Sequence, residues 1–254
     1  MIIHFKNFMK KKIITKKKYF QIRKKNLNLF LKNKKLFNKR LNLIKDIREY
    51  RVIYNTLWNG EPCLQYPDDL INFQEIFHYS RPDFIIEIGV AWGGTSLFFM
   101  DLLKKYNSKG YIGIDIFIPK DLKIRLMKKK PKNLFFKLIN GDSTSVETLK
   151  IISKVVGNKK CMIIIDAHHT EDAVLKELNL YKKFIKKGQY LICCDTILNY
   201  IGNTPGVIRP WSKNNNPLTA LEKFIKQNKN FKIDKFYSNK PLISCNYNGV
   251  LTKT

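Results

Sequence analysis

The chain has 254 residues, 44% hydrophobic and 13% aromatic, enough for one sizeable core and unlike a disordered polymer. Its formal charge of +28 suggests a polyanionic partner, yet only seven of its 48 basic residues are arginine, the side chain that suits bidentate phosphate recognition. With Asn and Ile also abundant, the lysine excess reads as the bias of an AT-rich genome, and a nucleic-acid partner is not expected.

No apolar run reaches the eighteen residues of a membrane span, and the N-terminus lacks the apolar core and cleavage site of a secretory signal. The expectation is a cytoplasmic chain. The five cysteines, Cys63, Cys161, Cys193, Cys194 and Cys245, have no metal-finger spacing, and their odd number fits reduced thiols in apolar surroundings.

Residues 1–50 hold 17 Lys or Arg against Asp46 and Glu49. Apolar residues are interleaved: Ile2, Ile3, Phe5, Phe8, Met9, Ile13, Ile14, Tyr19 and Phe20, then at loosely helical spacing Leu27, Phe30, Leu36, Phe37, Leu41 and Ile44. The pattern predicts basic amphipathic helices. One reading is attachment to an anionic membrane surface, which would place the protein peripherally at the inner face of the membrane; the other is packing on the main domain or self-association into a homo-oligomer. The domain itself is expected over 51–254, with 51–80 as a lead-in and 81–254 as a Rossmann-like core. In the lead-in, Asn59-Gly60 is a turn signal, Leu70 to His78 reads as a helix, and Tyr54, Trp58, Gln65 and Tyr66 could either line a pocket mouth or pack.

Phe84 to Ile88 is a short β-branched run, expected as a strand buried on both faces. Gly89, Gly93 and Gly94 follow, and Thr95 to Phe99 starts a helix. Glycines there allow a sharp turn and close approach of a ligand to the backbone, beside the free N–H groups of the helix start. The pattern Glu87-x-Gly89-x-x-x-Gly93-Gly94 is not the dinucleotide fingerprint; an acidic residue beside the loop favours a cationic ligand. It resembles the first motif of class I methyltransferases, which bind S-adenosylmethionine, with Glu87, Gly89, Gly93, Gly94 and Thr95 at the cofactor. The alternative is a bare structural turn.

Further strands are expected at Tyr111–Ile116, Leu134–Ile139, Cys161–Asp166 and Tyr190–Asp195, with helices between them. Asp115 ends one strand where a carboxylate can accept both ribose hydroxyls. Residues 117–133 read as a mobile basic loop and helix over the site. Asp142 and Ser143 fall at the same sheet edge, placed for the adenine or for capping the next helix. Asp166 and Asp195 could share a hard cation such as Mg²⁺, since oxygen ligands on adjacent strand ends suit it. His169 could serve as general base near Asp166, which would share in the catalytic site; His168 has less support. The turn-rich 204–211 is the candidate acceptor-selecting loop, and Phe231–Phe236 with Leu242–Leu251 would complete the sheet as a hairpin.

Trp58-x-Gly60, Leu64-Gln65-x-Pro67-x-Asp69-Leu70, Gln74-Glu75-Ile76, Arg81-Pro82-Asp83, Ile86-Glu87-x-Gly89, Gly93-Gly94-x-Ser96, Gly113-Ile114-Asp115-Ile116, Gly141-Asp142-Ser143, Asp166-x-x-His169-Thr170, Glu177-Leu178 and Asn216-Pro217-Leu218-Thr219-Ala220 together resemble the cephalosporin hydroxylase and rhamnosyl O-methyltransferase family, from about Tyr54 to the C-terminus. The resemblance implies an α/β class I methyltransferase fold with a mostly parallel seven-stranded sheet and helices on both faces. It also implies S-adenosylmethionine as donor, often Mg²⁺, and methylation of sugar hydroxyls in a small-molecule or glycan acceptor. The family often has a Glu-Asp pair where this chain has Cys194-Asp195, and a thiol suits a hard cation poorly. Two other readings compete: an RNA methyltransferase using the basic extension, and a non-catalytic membrane-surface scaffold on the same fold.

Overall fold

The computed structural model describes residues 14–203 and 206–254; Ile2, Ile3, Phe5, Phe8, Met9, Ile13, Thr204 and Pro205 lie outside the described residues. Two compact units are present, one ending at Lys39 and the other Arg40–Thr254. The division falls inside a helix. In the first unit α1 (Lys16–Lys32) starts at Thr15, whose side chain accepts from the Lys18 N–H, and none of its residues is buried. Asn33 then caps α2 (Lys34–Arg48), its Oδ1 accepting from the Leu36 N–H at 2.9 Å.

From Arg40 onward α2 belongs to the larger unit, with Ile44 in its core and Arg40 donating to the carbonyls of Asn239 and Pro241. β1 (Leu57–Trp58) and β2 (Glu61–Pro62) form a minimal hairpin. Asn59 and Gly60 are both left-handed in its turn, as that sequence favours. α3 (Pro67–Ser80) has Pro at its first turn, Asp68 and Asp69 at its positive end, and stops at the left-handed Arg81.

The main body alternates strand and helix: β3 (Phe84–Ile88), α4 (Gly94–Lys105), β4 (Gly110–Asp115), α5 (Lys120–Lys129), β5 (Phe135–Asn140), α6 (Val146–Val156), β6 (Cys161–Ile165), α7 (Glu171–Tyr181), β7 (Tyr190–Cys193), α8 (Leu198–Ile201), α9 (Pro217–Gln227), β8 (Phe231–Ile233), α10 (Lys235–Asn239) and β9 (Val250–Lys253). The seven-stranded sheet runs β5-β4-β3-β6-β7-β9-β8, and β9 is antiparallel to both its neighbours. The expected α/β architecture is therefore present. Strand β3 lies between β4 and β6, fully buried, because successive apolar side chains feed opposite layers. Ile86, Ile88, Ile163 and Ile165 join the layer that contains residues of α6, α7 and α9, whereas Ile85, Met162, Ile164 and Ile192 join that of α3 and α4.

Three expectations are corrected. The basic 117–133 segment is anchored: Leu122 and Leu126 of α5 pack against Gly93, and the buried Glu61 accepts from Arg125 Nε at 3.1 Å and Lys129 Nζ at 2.6 Å. α6 is capped by Ser145, neither by Asp142 nor by Ser143. The C-terminal pairing is real, but Phe236 lies in α10 and β9 begins only at Val250. Residues 242–249 form an irregular, largely buried segment because their polar groups bind α3: Asp69 accepts from the Ser244 hydroxyl at 2.5 Å and the Cys245 N–H at 3.0 Å. Among the described residues no helix is long and apolar enough to cross a membrane.

Candidate active site

Parallel strands send their chain ends to one edge, and there the loops after β3, β4, β6 and β7 converge. The loop after β3 is held by contact rather than by composition alone. Gly89 has φ +95°, and a Cβ on it would lie 2.3 Å from the Asp166 carbonyl oxygen; one on Gly94 would lie 2.3 Å from that of Pro62. Ala91 is also left-handed, at φ 45°, and Asp115 supports this turn from β4. Its Oδ2 accepts from the N–H groups of Val90 at 2.9 Å and Ala91 at 3.1 Å, and its Oδ1 from Phe117 at 3.2 Å.

Glu87 sits beneath the loop, 2% exposed. It accepts from Ser96 at 2.6 Å and from Tyr111, and burial pushes its carboxyl up to about 7. Asp142 is exposed, and two hydrogen bonds from Thr144, the backbone one first, hold it below the usual carboxylate range. Ser143 donates to Glu177 at 2.6 Å.

At the other half of the edge, Asp166, His169 and Asp195 place ligand atoms within 4.8 Å of one another. His169 Nε2 lies 3.4 Å from Asp195 Oδ2, and the imidazole stands edge-on to Trp211 with centroids 4.7 Å apart. Asp195 adopts φ 54°, a left-handed turn that Asp tolerates better than most residues and that costs of order 1–3 kcal/mol. A buried amide chain supports the pair: Gln65 donates to Asp166 at 2.9 Å and accepts from Asn246 at 3.1 Å, while Asn246 Oδ1 accepts the Asp195 N–H at 3.2 Å. Burial, then the neighbouring Asp195, pushes Asp166 well above the usual carboxylate range. Two carboxylates, with an imidazole beside them and no Lys or Arg bridging them among the described residues, fit a divalent cation held by Asp166 and Asp195. Cys194 is not part of it. Its residue is 1% exposed in the core layer of α3 and α4, and the third group beside the two carboxylates is His169.

Two cavities open here. One, of about 240 Å³, is lined by Gly89, Ala91, Trp92 and Thr95 of the glycine loop and by Asp166. The other, of about 600 Å³, is lined by Tyr66, Ile197, Val207 and Trp211 among others. They share Ile53, Tyr54, His169 and Asp195. Of the expected cofactor residues, Gly89 and Thr95 line the first cavity, while Glu87, Gly93, Gly94, Asp115, Asp142 and Ser143 lie under or beside the loops and line neither. No local sequence pattern singles out Asn246 or Arg51. Asn246 sits in a stretch that reads as strand, and Arg51 at the end of a basic run.

The sheet order and the glycine loop at its carboxyl edge define the class I methyltransferase fold. The chain belongs to the rhamnosyl O-methyltransferase/CmcI family, whose model matches residues 50–254. A rhamnosyl O-methyltransferase of Mycobacterium leprae (strain TN) is 31% identical over 147 residues, 57% of this chain and 62% of the relative. Another, of Mycobacterium tuberculosis (strain ATCC 25618 / H37Rv), is 25% identical over 151 residues, 59% of this chain and 61% of the relative. This chain thus spans about six-tenths of the curated relatives it matches. Among solved structures, CmcI with Mg and S-adenosylmethionine superposes with a TM-score of 0.55 at 21% identity, covering 79% of this chain and 77% of CmcI.

Proposed function

We propose that this chain is an S-adenosylmethionine-dependent O-methyltransferase that methylates a hydroxyl of a sugar or glycoconjugate. The observation that carries the reading is the meeting of the two cavities at His169 and Asp195. One cavity would take the donor over the glycine loop and the other the acceptor, so that the reacting atoms face each other where the titratable groups stand. The names of the family and its relatives agree with this reading.

S-adenosylmethionine supplies a methyl group already activated on a sulfonium. Asp166 and Asp195 would hold a divalent cation, which would supply Lewis acidity when bound. The chain's own work is then alignment and proton removal. Gly89 to Thr95 shape the donor cavity, Asp115 fixes that loop through the Val90 and Ala91 N–H groups, and the carboxylates of Asp166 and Asp195 suit a cationic donor. His169, seated against Trp211, would accept the hydroxyl proton at Nε2. Gln65 and Asn246 keep the two carboxylates in place.

Calorimetric titration with S-adenosylmethionine, with and without Mg²⁺, followed by transfer of labelled methyl to a panel of sugars, tests this. Micromolar donor binding and Mg²⁺-dependent transfer are expected. Absence of donor binding in either condition would contradict the reading.

We also propose that the first unit brings the chain to an anionic membrane surface. Tyr19, Phe20, Ile22 and Leu29 of α1 are exposed among lysines, which supports interfacial binding. Salt-reversible co-sedimentation with phosphatidylglycerol vesicles, but not with phosphatidylcholine vesicles, is expected; equal binding to both would sink it.

A further inference from the structure

The larger cavity holds a clue to the acceptor's charge. The chain has 41 lysines and seven arginines, Arg23, Arg40, Arg48, Arg51, Arg81, Arg125 and Arg209. Three of the seven, Arg48, Arg51 and Arg209, line this one cavity, and no lysine does so among its described lining residues. Three cations drawn at random from such a chain would seldom all be arginine. Where lysine is the default cation, arginine at a cavity wall marks a need that lysine does not meet: a planar, weakly hydrated fork that can hold two oxygens of one anion.

The three are used differently. Arg48 donates from Nη1 to the Gly202 carbonyl at 2.8 Å and from Nη2 to that of Asn203 at 3.0 Å, so it ties down the loop after α8. Its Nε is buried without a hydrogen-bond partner. Arg51 and Arg209 form no carboxylate ion pair among the described residues. Each instead lies against an aromatic ring, Arg51 at 5.9 Å from the Tyr54 centroid and Arg209 at 5.4 Å from that of Trp211.

Those rings matter to the placement. Tyr54 borders both cavities, and Trp211 lies against both His169 and the Arg209 guanidinium. A flat ring beside the proposed base is a surface on which a sugar can lie, and the guanidinium stands just beyond it. Glu49 also lines the cavity and offsets part of the positive charge near Arg48. Asp195 is the other acidic lining residue, and it belongs to the cation cluster.

We propose, building on the methyltransferase reading, that the acceptor bears an oxyanion, a phosphate or a carboxylate, next to the sugar that is methylated, and that Arg51 and Arg209 hold it while Arg48 fixes the loop behind. The acceptor would then be a glycosyl phosphate, a nucleoside diphosphate sugar or a uronic acid rather than a neutral glycoside.

The test uses the full chain saturated with S-adenosylhomocysteine and four probes: pyrophosphate, glucose 1-phosphate, glucuronate and methyl glucoside. Affinities are measured by calorimetry at physiological salt for the wild type, Arg51→Gln/Arg209→Gln and Arg51→Lys/Arg209→Lys. At least one of the two anionic sugars should bind ten-fold or more tighter than methyl glucoside, with pyrophosphate following glucose 1-phosphate. That advantage should vanish in the Gln variant and return only in part with Lys, while cofactor affinity and melting temperature stay unchanged. Comparing glucose 1-phosphate with glucuronate tells phosphate from carboxylate.

Equal binding of the neutral glycoside would overturn the proposal. So would failure of both anionic sugars to bind, or an anion preference that persists in the Gln variant and therefore belongs to the surface lysines. Loss of cofactor binding in the wild type would instead remove the methyltransferase reading, so the two failures are separable.

Discussion

At the ends of β4 and β5, Asp115 and Asp142 spend their carboxylates on nearby hydrogen bonds, Asp115 on Val90, Ala91 and Phe117 and Asp142 on Thr144. At the ends of β6 and β7, Asp166 and Asp195 crowd His169 instead, and their carboxylates meet the Gln65 amide and the Cys245 thiol but, among the described residues, no backbone N–H. The four residues occupy equivalent places in the same sheet edge. What differs is whether a neighbouring loop turns N–H groups toward the carboxylate. Where it does, an acidic strand end becomes scaffold for a binding loop. Where it does not, charge is left over, and leftover charge is what holds cations and moves protons.

The comparison can be broken most severely at His169. His169→Ala should lower turnover about 10²–10⁴-fold with any acceptor the wild type methylates, while S-adenosylmethionine affinity, read by calorimetry, stays within two-fold. A parallel loss of cofactor affinity would show that His169 is structural.

Next comes the scaffold side. Gly89→Ala forces a side chain into a left-handed position and against the Asp166 carbonyl, costing about 1–3 kcal/mol from the backbone alone. Denaturant unfolding should show at least that loss, and the same substitution at Gly141, where a Cβ meets nothing within 4 Å, should be nearly silent. Asn246→Ala should cost about 1–3 kcal/mol by leaving the Gln65 carbonyl oxygen and the Asp195 N–H without partners. It should also weaken cation affinity about 10–100-fold, which titration of Mn²⁺ would read.

Much of this was legible in the sequence, for identifiable reasons. Asp115, Asp166 and Asp195 each end an apolar run, and a charge at the end of a buried strand has few places to go except the edge. The class of fold followed from five such runs and the glycine spacing. The sequence could not say which carboxylates would be satisfied, because that depends on loops folding back across the sheet. Asn246 reaches Gln65 from 181 positions away, and no local pattern encodes that contact. The same holds for residues 242–249, whose apolar and polar alternation imitates a strand but whose polar groups belong to α3. Arg51 and Arg209, 158 positions apart, meet at one cavity only after folding.

A smaller effect probes Glu177, which supports Ser143 on the satisfied half. Burial pushes its carboxyl from 4.5 up to about 7. Between those values the folded chain keeps a proton that the unfolded chain releases, so this group's contribution is full below pH 4.5 and is lost as pH rises through 7. Glu177→Gln should therefore flatten the fall of stability with pH across that window, by at most about 1.4 kcal/mol per pH unit. Melting temperatures at pH 5 and 8 would show the variant losing less than the wild type.

The central claim, that charge left over at β6 and β7 is the working half of the edge, is tested most directly by electron paramagnetic titration of Mn²⁺ into the wild type, Asp166→Asn and Asp142→Asn. The account predicts one tight Mn²⁺ site per chain, lost in Asp166→Asn and intact in Asp142→Asn. A site that persists in Asp166→Asn, or no tight site in the wild type, would contradict it.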